Sequence, residues 1–455
     1  MSPLDFTVLV LDHLALVFFL SVGFTCALYF ATRNIAGNIV DPFHFFYSFT
    51  FGTSYAVVCL LAVTGHVGLT GVSVVGGYGL LFLLIYRLFS RVTLWKGLQS
   101  NKRISMGGGW LFAIACLLYL AIAIVFVEAV GFGAFLRSRY QIGQYNLIAL
   151  ILDPLRLFIA GYTAILIVNC HGQNRKIKIA LLLCAELSFV VLSSLINGSK
   201  FSFLESAYAA AVAIVVSRGA GATPWNKLVK PLSAVLIIAI AYAVSQQYFN
   251  LKASGASGDS STDALYTRGP LLLDQFGMRI VNNGDIYYYV LPAPVFENIV
   301  IDHPFALLFG DVLGGNLIGA LFGVDLTKSG DIGHQAMGYW YGDYHADVGP
   351  TDHFDLDAYK FFGPFGGIIF VLCVAFAMAC VNKLKKGRYD NAGCAVVAAV
   401  YIRSLIILLS PHVGLAFLEE SVILFTVLAI LAKALGYAVS HPRRLISREL
   451  KNSAC

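Results

Sequence analysis

Charge is scarce in this chain. Only 12% of its 455 residues are Asp, Glu, Lys or Arg, whereas 58% are hydrophobic. A soluble domain carries about 25% charged and roughly 45–50% apolar residues, so this balance excludes an ordinary water-soluble protein. The first residues, Met1 to Asp5, lack the basic region of a secretory signal peptide. The first apolar segment is therefore expected to stay in the mature protein. The nine cysteines show neither metal-ligand spacing nor the pairing of an extracellular framework, and read as buried thiols. Two Gly-rich stretches, RGAGATPW and DVLGGNLIGALFG, do not follow a strand and open a helix as a phosphate-binding loop must. No inverted internal repeat is visible, and no inner-side segment is long enough for a nucleotide-binding domain. Chemistry, if there is any, uses a substrate that arrives already activated; no nucleic acid and no cofactor is implied.

What is abundant is long apolar runs. Segments of about 20 residues, the length that spans a bilayer, centre near Val17, Ser54, Gly79, Tyr119, Ala160, Ser188, Ala210, Ile238, Cys373, Ser404 and Val427. The fold class expected is an all-α polytopic membrane protein with about eleven transmembrane helices. Basic residues cluster at Arg87–Arg103, Arg175–Lys178, Arg218–Lys230, Lys383–Arg388 and in the tail from Arg443. Cytoplasmic loops carry the Lys/Arg excess, and all these clusters fall on one side if each segment crosses. The N-terminus then lies outside and the C-terminus inside. Residues 249–359 hold fourteen acidic and four basic residues, against eleven and twenty-seven elsewhere. That asymmetry marks one long outer loop between eight spans (1–248) and the last three spans with the tail (360–455). The apolar patch 303–324 within it, interrupted by Asp311 and five glycines, reads as an interfacial or re-entrant lid.

Ionisable residues inside spans are costly and default to functional hypotheses. Asp153 and Arg156 stand three apart on one helical face; Arg403 and Glu205 lie in other spans. Arg156, Lys200 and Arg403 are candidates to line an anion cavity, since planar guanidinium groups suit phosphate oxygens. The plainer alternative pairs Asp153 with Arg156, and Arg403 with a glutamate across the Ser410–Gly414 turn. The stretch PTDHFDLDAYKFFGPFGGIIF adds Asp352, His353, Asp355 and Asp357 at the mouth of an apolar run. Asp352 and His353 are the candidate acid–base residues. Asp355 and Asp357 mimic a metal-binding Asp-x-Asp but are read as helix-start capping or ligand contacts. Trp340 and Tyr341, with Tyr287 to Tyr289 and Tyr344, would either stack on a ligand or pack the loop's own core.

The turn Gly198-Ser199-Lys200 before a late span, the long outer loop, and His353 leading into Gly363-Pro364-Phe365-Gly366 and a span together resemble the O-antigen polymerase and O-antigen ligase superfamily, from about residue 147 onward. In that family the turn usually carries Arg where this chain has Lys200, and the His is often followed by Asn where it has Phe354. These departures favour a repeat-unit polymerase over a ligase. The resemblance implies a membrane C-type glycosyltransferase fold, with no metal, acting on undecaprenyl-diphosphate-linked oligosaccharide. It implies Arg156, Lys200 and Arg403 at the diphosphate and Asp355, Asp357, Trp340 and Tyr341 at the glycan. Expected partners are membrane lipid, a chain-length regulator protein and a repeat-unit flippase. The competing readings are an O-antigen-ligase-type transferase, a lipid-linked oligosaccharide transporter, and a peptidoglycan-type polymerase of the shape and division family. Reporter fusions at Gln99 and Ser257 are expected to score on opposite sides of the membrane; cytoplasmic activity from the Ser257 fusion overturns this topology.

Overall fold

The computed structural model describes residues 1–37, 40–92, 104–130, 146–197, 202–218, 282–323, 331–342 and 350–452. Among these there is no strand, only an isolated bridge between Ile104 and Tyr389. The first helices are α1 (Pro3–Asp12), α2 (Leu14–Ala36), α3 (Thr50–Val63, extended at its start by a π-helical turn His44–Phe49) and α4 (Leu69–Arg91). Then come α5 (Gly108–Val130), α6 (Asn146–Gly172), α7 (Lys176–Asn197) and α8 (Ser202–Arg218). Five short helices follow: α9 (Asp285–Val290), α10 (Ala293–Asn298), α11 (Pro304–Leu313), α12 (Gly315–Phe322) and α13 (Ile332–Tyr341). The chain closes with α14 (Phe354–Leu384), α15 (Asn391–Ser404) and α16 (Pro411–Asn452).

Nine helical segments among the described residues are long and apolar enough to cross a bilayer, and each falls on an expected span. The expected seventh span is the 17-residue α8, about 26 Å long at 1.5 Å per residue. The expected eighth, near Ile238, lies outside the described residues. Phe19, Leu84, Leu120, Ile177 and Ile369 stand exposed on these helices. Apolar faces of that kind suit lipid rather than water, which makes this a multi-pass membrane protein.

Two compact units emerge, each drawn from separate stretches of chain: Met1–Thr93, Ile240–Asn382 and Ser404–Phe417 form the first, and Leu94–Ala239, Lys383–Arg403 and Leu418–Cys455 the second. They cut across the linear division into spans, loop and spans. In the first unit α2 lies so close to α3 that a Cβ on Gly52 would stand 2.6 Å from the Thr25 Cα. One core joins Phe6, Val57 and Leu61 to Tyr287, Val290, Ile332, Ala336 and Leu356. Part of the long loop is therefore folded onto the spans. Asn283 accepts from Ser54 Oγ at 2.8 Å and donates to Thr53 Oγ1 at 3.2 Å, beside the middle of the apolar stretch His44–Val63. A short 3₁₀ turn (Asn282–Gly284) there is tolerable because protein surrounds it. The patch 303–324 folds as α11 and α12, broken at Gly314 with φ +91°. Ten and eight residues reach about 15 and 12 Å, far short of a ~30 Å hydrocarbon core.

In the second unit α6 is the central helix, packed against α5, α7 and α8. Gly161 meets Ala213 and Ala395, so small side chains let the backbones approach. Gly52→Ala is expected to lower the thermal unfolding midpoint of the purified protein, at a cost of about 1–3 kcal/mol for overpacking. Gly77→Ala, with nothing within 4 Å of the added methyl, should leave it unchanged. An unaltered midpoint in Gly52→Ala would show that α2 and α3 are not tightly seated.

Candidate functional site

The acidic stretch of the first unit is not a solvated helix start. Asp352 is 2% exposed, and His353, Asp355 and Asp357 are 0% exposed. Its geometry starts from the backbone of His353, which has φ +54°, a left-handed conformation rare outside glycine. The His353 N–H donates to the Leu409 carbonyl at 2.8 Å, and its own carbonyl accepts from Asp357 N–H at 3.1 Å. His353 thereby turns the chain into α14. Its ring lies 4.8 Å from Phe51 and 5.2 Å from Tyr287, centroid to centroid. Burial drives the imidazole down to about 3, so it is neutral at pH 7. Neither ring nitrogen has a hydrogen-bond partner among the described residues.

The carboxylates fare differently from one another. Asp355 accepts from the Tyr287 hydroxyl at 2.8 and 2.9 Å and from Tyr55 at 3.4 Å. Asp352 accepts on Oδ1 from Gly333 N–H at 2.8 Å, while its Oδ2 has no partner among the described residues. Burial, then the nearby charges of Asp331 and Asp357, raise its carboxyl well above the usual range. Gly333 has no room for a side chain: a Cβ there would stand 2.4 Å from Pro350 O. Both oxygens of Asp357 also lack a partner among the described residues.

Two residues that sequence patterns did not single out complete this cluster. Asp331 caps α13, accepting from the His334 N–H at 2.7 Å and from its Nδ1 at 2.6 Å. Burial pushes the Asp331 carboxyl up, but its bonds to His334 outweigh that and hold it below its ordinary value. His412, at the start of α16, is 9% exposed. Asp331, Asp352 and His412 each present a ligand atom within 4.8 Å of the others, the group among the described residues able to hold a metal ion. Asp331 stands at the N-cap of α13, and His412 follows Pro411 at the start of α16. Those positions are weak cues, and only the tertiary fold brings the pair together.

The glycine motif breaks α14. Gly363 is non-helical (φ +66°) and Pro364 contributes no N–H. The Tyr78 hydroxyl donates to the Pro364 carbonyl at 2.9 Å. Close helix approach falls at Gly367, where a Cβ would meet Tyr78 Oη at 2.4 Å and Ala358 O at 2.6 Å; at Gly366 it would meet Phe362 of the same helix. Beside this break, α4 and α14 frame a groove of about 690 Å³ lined by Leu69, Val74, Tyr78, Tyr359, Pro364 and Ile368 among others.

Compared with known proteins, the chain matches no family model, no curated sequence and no solved structure.

Of the aromatic candidates, Tyr341 is 50% exposed. Trp340 packs against the core and donates its indole N–H to Tyr289 O at 3.0 Å. Tyr287, Tyr288 and Tyr289 are buried in that core, the second of the two roles considered for them. Lys200 lies outside the described residues. Arg156 and Arg403 belong to the second unit, where both are committed to carboxylates. Arg156 is 1% exposed. Its Nη1 donates to Ser202 O and to Ser206 Oγ at 2.9 Å, and its Nη2 to Glu205 at 2.6 Å and Asp153 at 3.4 Å. Arg403 pairs with the other oxygen of Asp153 at 3.2 Å. Removing one partner from a buried ion pair costs about 3–5 kcal/mol. Asp153→Asn is accordingly expected to lower the unfolding midpoint sharply, and Arg403→Gln in the same chain to restore part of it. Losses that simply add would show that the two residues are not coupled.

Proposed function

We propose that this chain is an integral-membrane glycosyltransferase that joins undecaprenyl-diphosphate-linked oligosaccharide repeat units on the periplasmic face of the bacterial inner membrane. The observation that carries the reading is the convergence of Asp331, Asp352, Asp357 and His412 beside a span, most of it buried and only partly hydrogen-bonded. A structural cluster would close its hydrogen bonds, as Asp355 does with two tyrosines; unpartnered buried carboxylates are suited to exchange protons. The groove between α4 and α14 suits an isoprenoid chain, apolar along its length with a few hydroxyls. The partly exposed Tyr341 suits a sugar face.

In the reaction, a hydroxyl oxygen of one repeat unit attacks the anomeric carbon of another. The bond from that carbon to the diphosphate oxygen breaks, undecaprenyl diphosphate leaves, and the hydroxyl proton passes to a carboxylate of the cluster. Asp352 is the residue on which this depends. His353 is neutral, wedged between aromatic rings, and serves to hold the turn into α14. No nucleotide enters the step, in keeping with the absence of a nucleotide-binding motif.

Purified protein supplied with lipid-linked repeat units and no ATP should lengthen them. Asp352→Asn is expected to reduce polymer per folded molecule by on the order of a hundred-fold or more. His353→Asn, which keeps a residue tolerant of the left-handed backbone, should retain it. Polymer from Asp352→Asn alongside its loss in His353→Asn reverses the assignment. Translocation of lipid-linked units by wild-type protein without any lengthening makes the chain a transporter instead.

A further inference from the structure

We propose that Asp331, Asp352 and His412 form a binding site for a divalent first-row metal ion, of the Mn²⁺ or Zn²⁺ type. Two carboxylates and one imidazole are a mixed oxygen–nitrogen donor set, which suits these ions better than the all-oxygen preference of Mg²⁺ or Ca²⁺. The donor atoms lie within 4.8 Å of one another. Three ligands at about 2.1 Å from one metal stand roughly 3.0–3.6 Å apart, so the donors draw together by about an ångström as the ion binds.

An acidic cluster alone would not justify a metal. The independent observation is Asp357, which lies one turn into α14 rather than in the ligand group. It is fully buried, both its oxygens lack a hydrogen-bond partner among the described residues, and its N–H donates to the carbonyl of His353, the residue after Asp352, at 3.1 Å. Asp352, itself buried, also keeps one oxygen without a partner among the described residues. Such a group must be met by protons or by a cation. The imidazole of His412 adds a nitrogen donor to the two carboxylates, a mixed set that first-row ions accept. Neighbouring donors hold two of the side chains: Gly333 N–H fixes one oxygen of Asp352, and His334 fixes Asp331 through two bonds. Partners of this kind orient ligands.

The inference stands on the donor set and holds whether or not the chain transfers sugars. Where it does transfer them, the cation places positive charge in the same unit as the groove.

The test uses the full chain, purified in detergent, stripped with EDTA and titrated with Mn²⁺. Free Mn²⁺ is followed by EPR, and the unfolding midpoint is recorded at each addition. The expected result is one tight equivalent per chain with a rise in midpoint. Asp352→Asn and His412→Gln should each weaken binding by about tenfold or more, while His66→Ala, at an exposed histidine, leaves it unchanged. Pulsed EPR of wild-type protein should show nitrogen coupling from one imidazole, a readout that needs no variant to fold. No stoichiometric binding, no nitrogen coupling, or undiminished affinity in folded Asp352→Asn and His412→Gln each overturns the site. Polymer assays are read separately, so a chain that binds Mn²⁺ without lengthening substrate refutes the transferase reading and leaves the metal site intact.

Discussion

An ion taken out of water into a helical, apolar interior must be met by an opposite charge, by hydrogen bonds or by a proton, because its desolvation otherwise costs several kcal/mol. In a chain with so few charges this constraint governs the placement of nearly all the buried ones. The second unit answers it with ion pairs. Asp153 uses one oxygen for Arg156 and the other for Arg403, Glu205 pairs with Arg156 Nη2, and Ser202 and Ser206 accept from its Nη1. These pairs bind α6, α8 and α15 by directional contacts that plain apolar packing would not specify.

The first unit answers it differently, and the backbone explains how. His353 in a left-handed conformation and the break at Gly363 isolate a short helical piece carrying Asp355, Asp357 and Lys360 from the rest of α14. Lys360 is held by the carbonyls of Phe296 and Ile299 and by the face of Phe296. These contacts leave its charge engaged at α10. The acids are left with tyrosine hydroxyls, backbone N–H groups and His412. His353 and Asp355 lie beside Phe51 and Tyr55, near the middle of an apolar stretch.

Much of this was readable in the sequence because it depends on local composition. Apolar runs located the helices, since each must bury its backbone in a membrane-length segment, and the charged residues within or beside those runs stood out against their surroundings. What was not readable depends on contacts between distant positions. Arg403 and Asp153 are 250 residues apart, so no spacing rule pairs them. Asp331 and His412 lie in unrelated local contexts and become notable only once α13 and α16 bring them to Asp352. The fold of 282–290 against α3 was hidden for another reason: its tyrosines read equally as sugar platforms or as core. The hydrogen bond from Tyr287 to Asp355 decides between them for that residue.

Within α14 the contrast between Asp355 and its neighbours separates structure from chemistry. Both Asp355 and Asp357 lie in the first turn, where the helix dipole favours negative charge, and both are wholly buried. Asp355 has its oxygens occupied by two tyrosine hydroxyls and the Leu356 N–H. Its ionised form is satisfied, and a group so satisfied has little left to give a substrate. Asp357 and the free oxygen of Asp352 have no such partners among the described residues. The same burial that makes Asp355 a strut therefore leaves these two poised, their state set by whichever proton, cation or ligand reaches them. Asp355 and its tyrosines hold the helix start in place. The carboxylates beside it, left without matching donors, are the ones through which this fold can act.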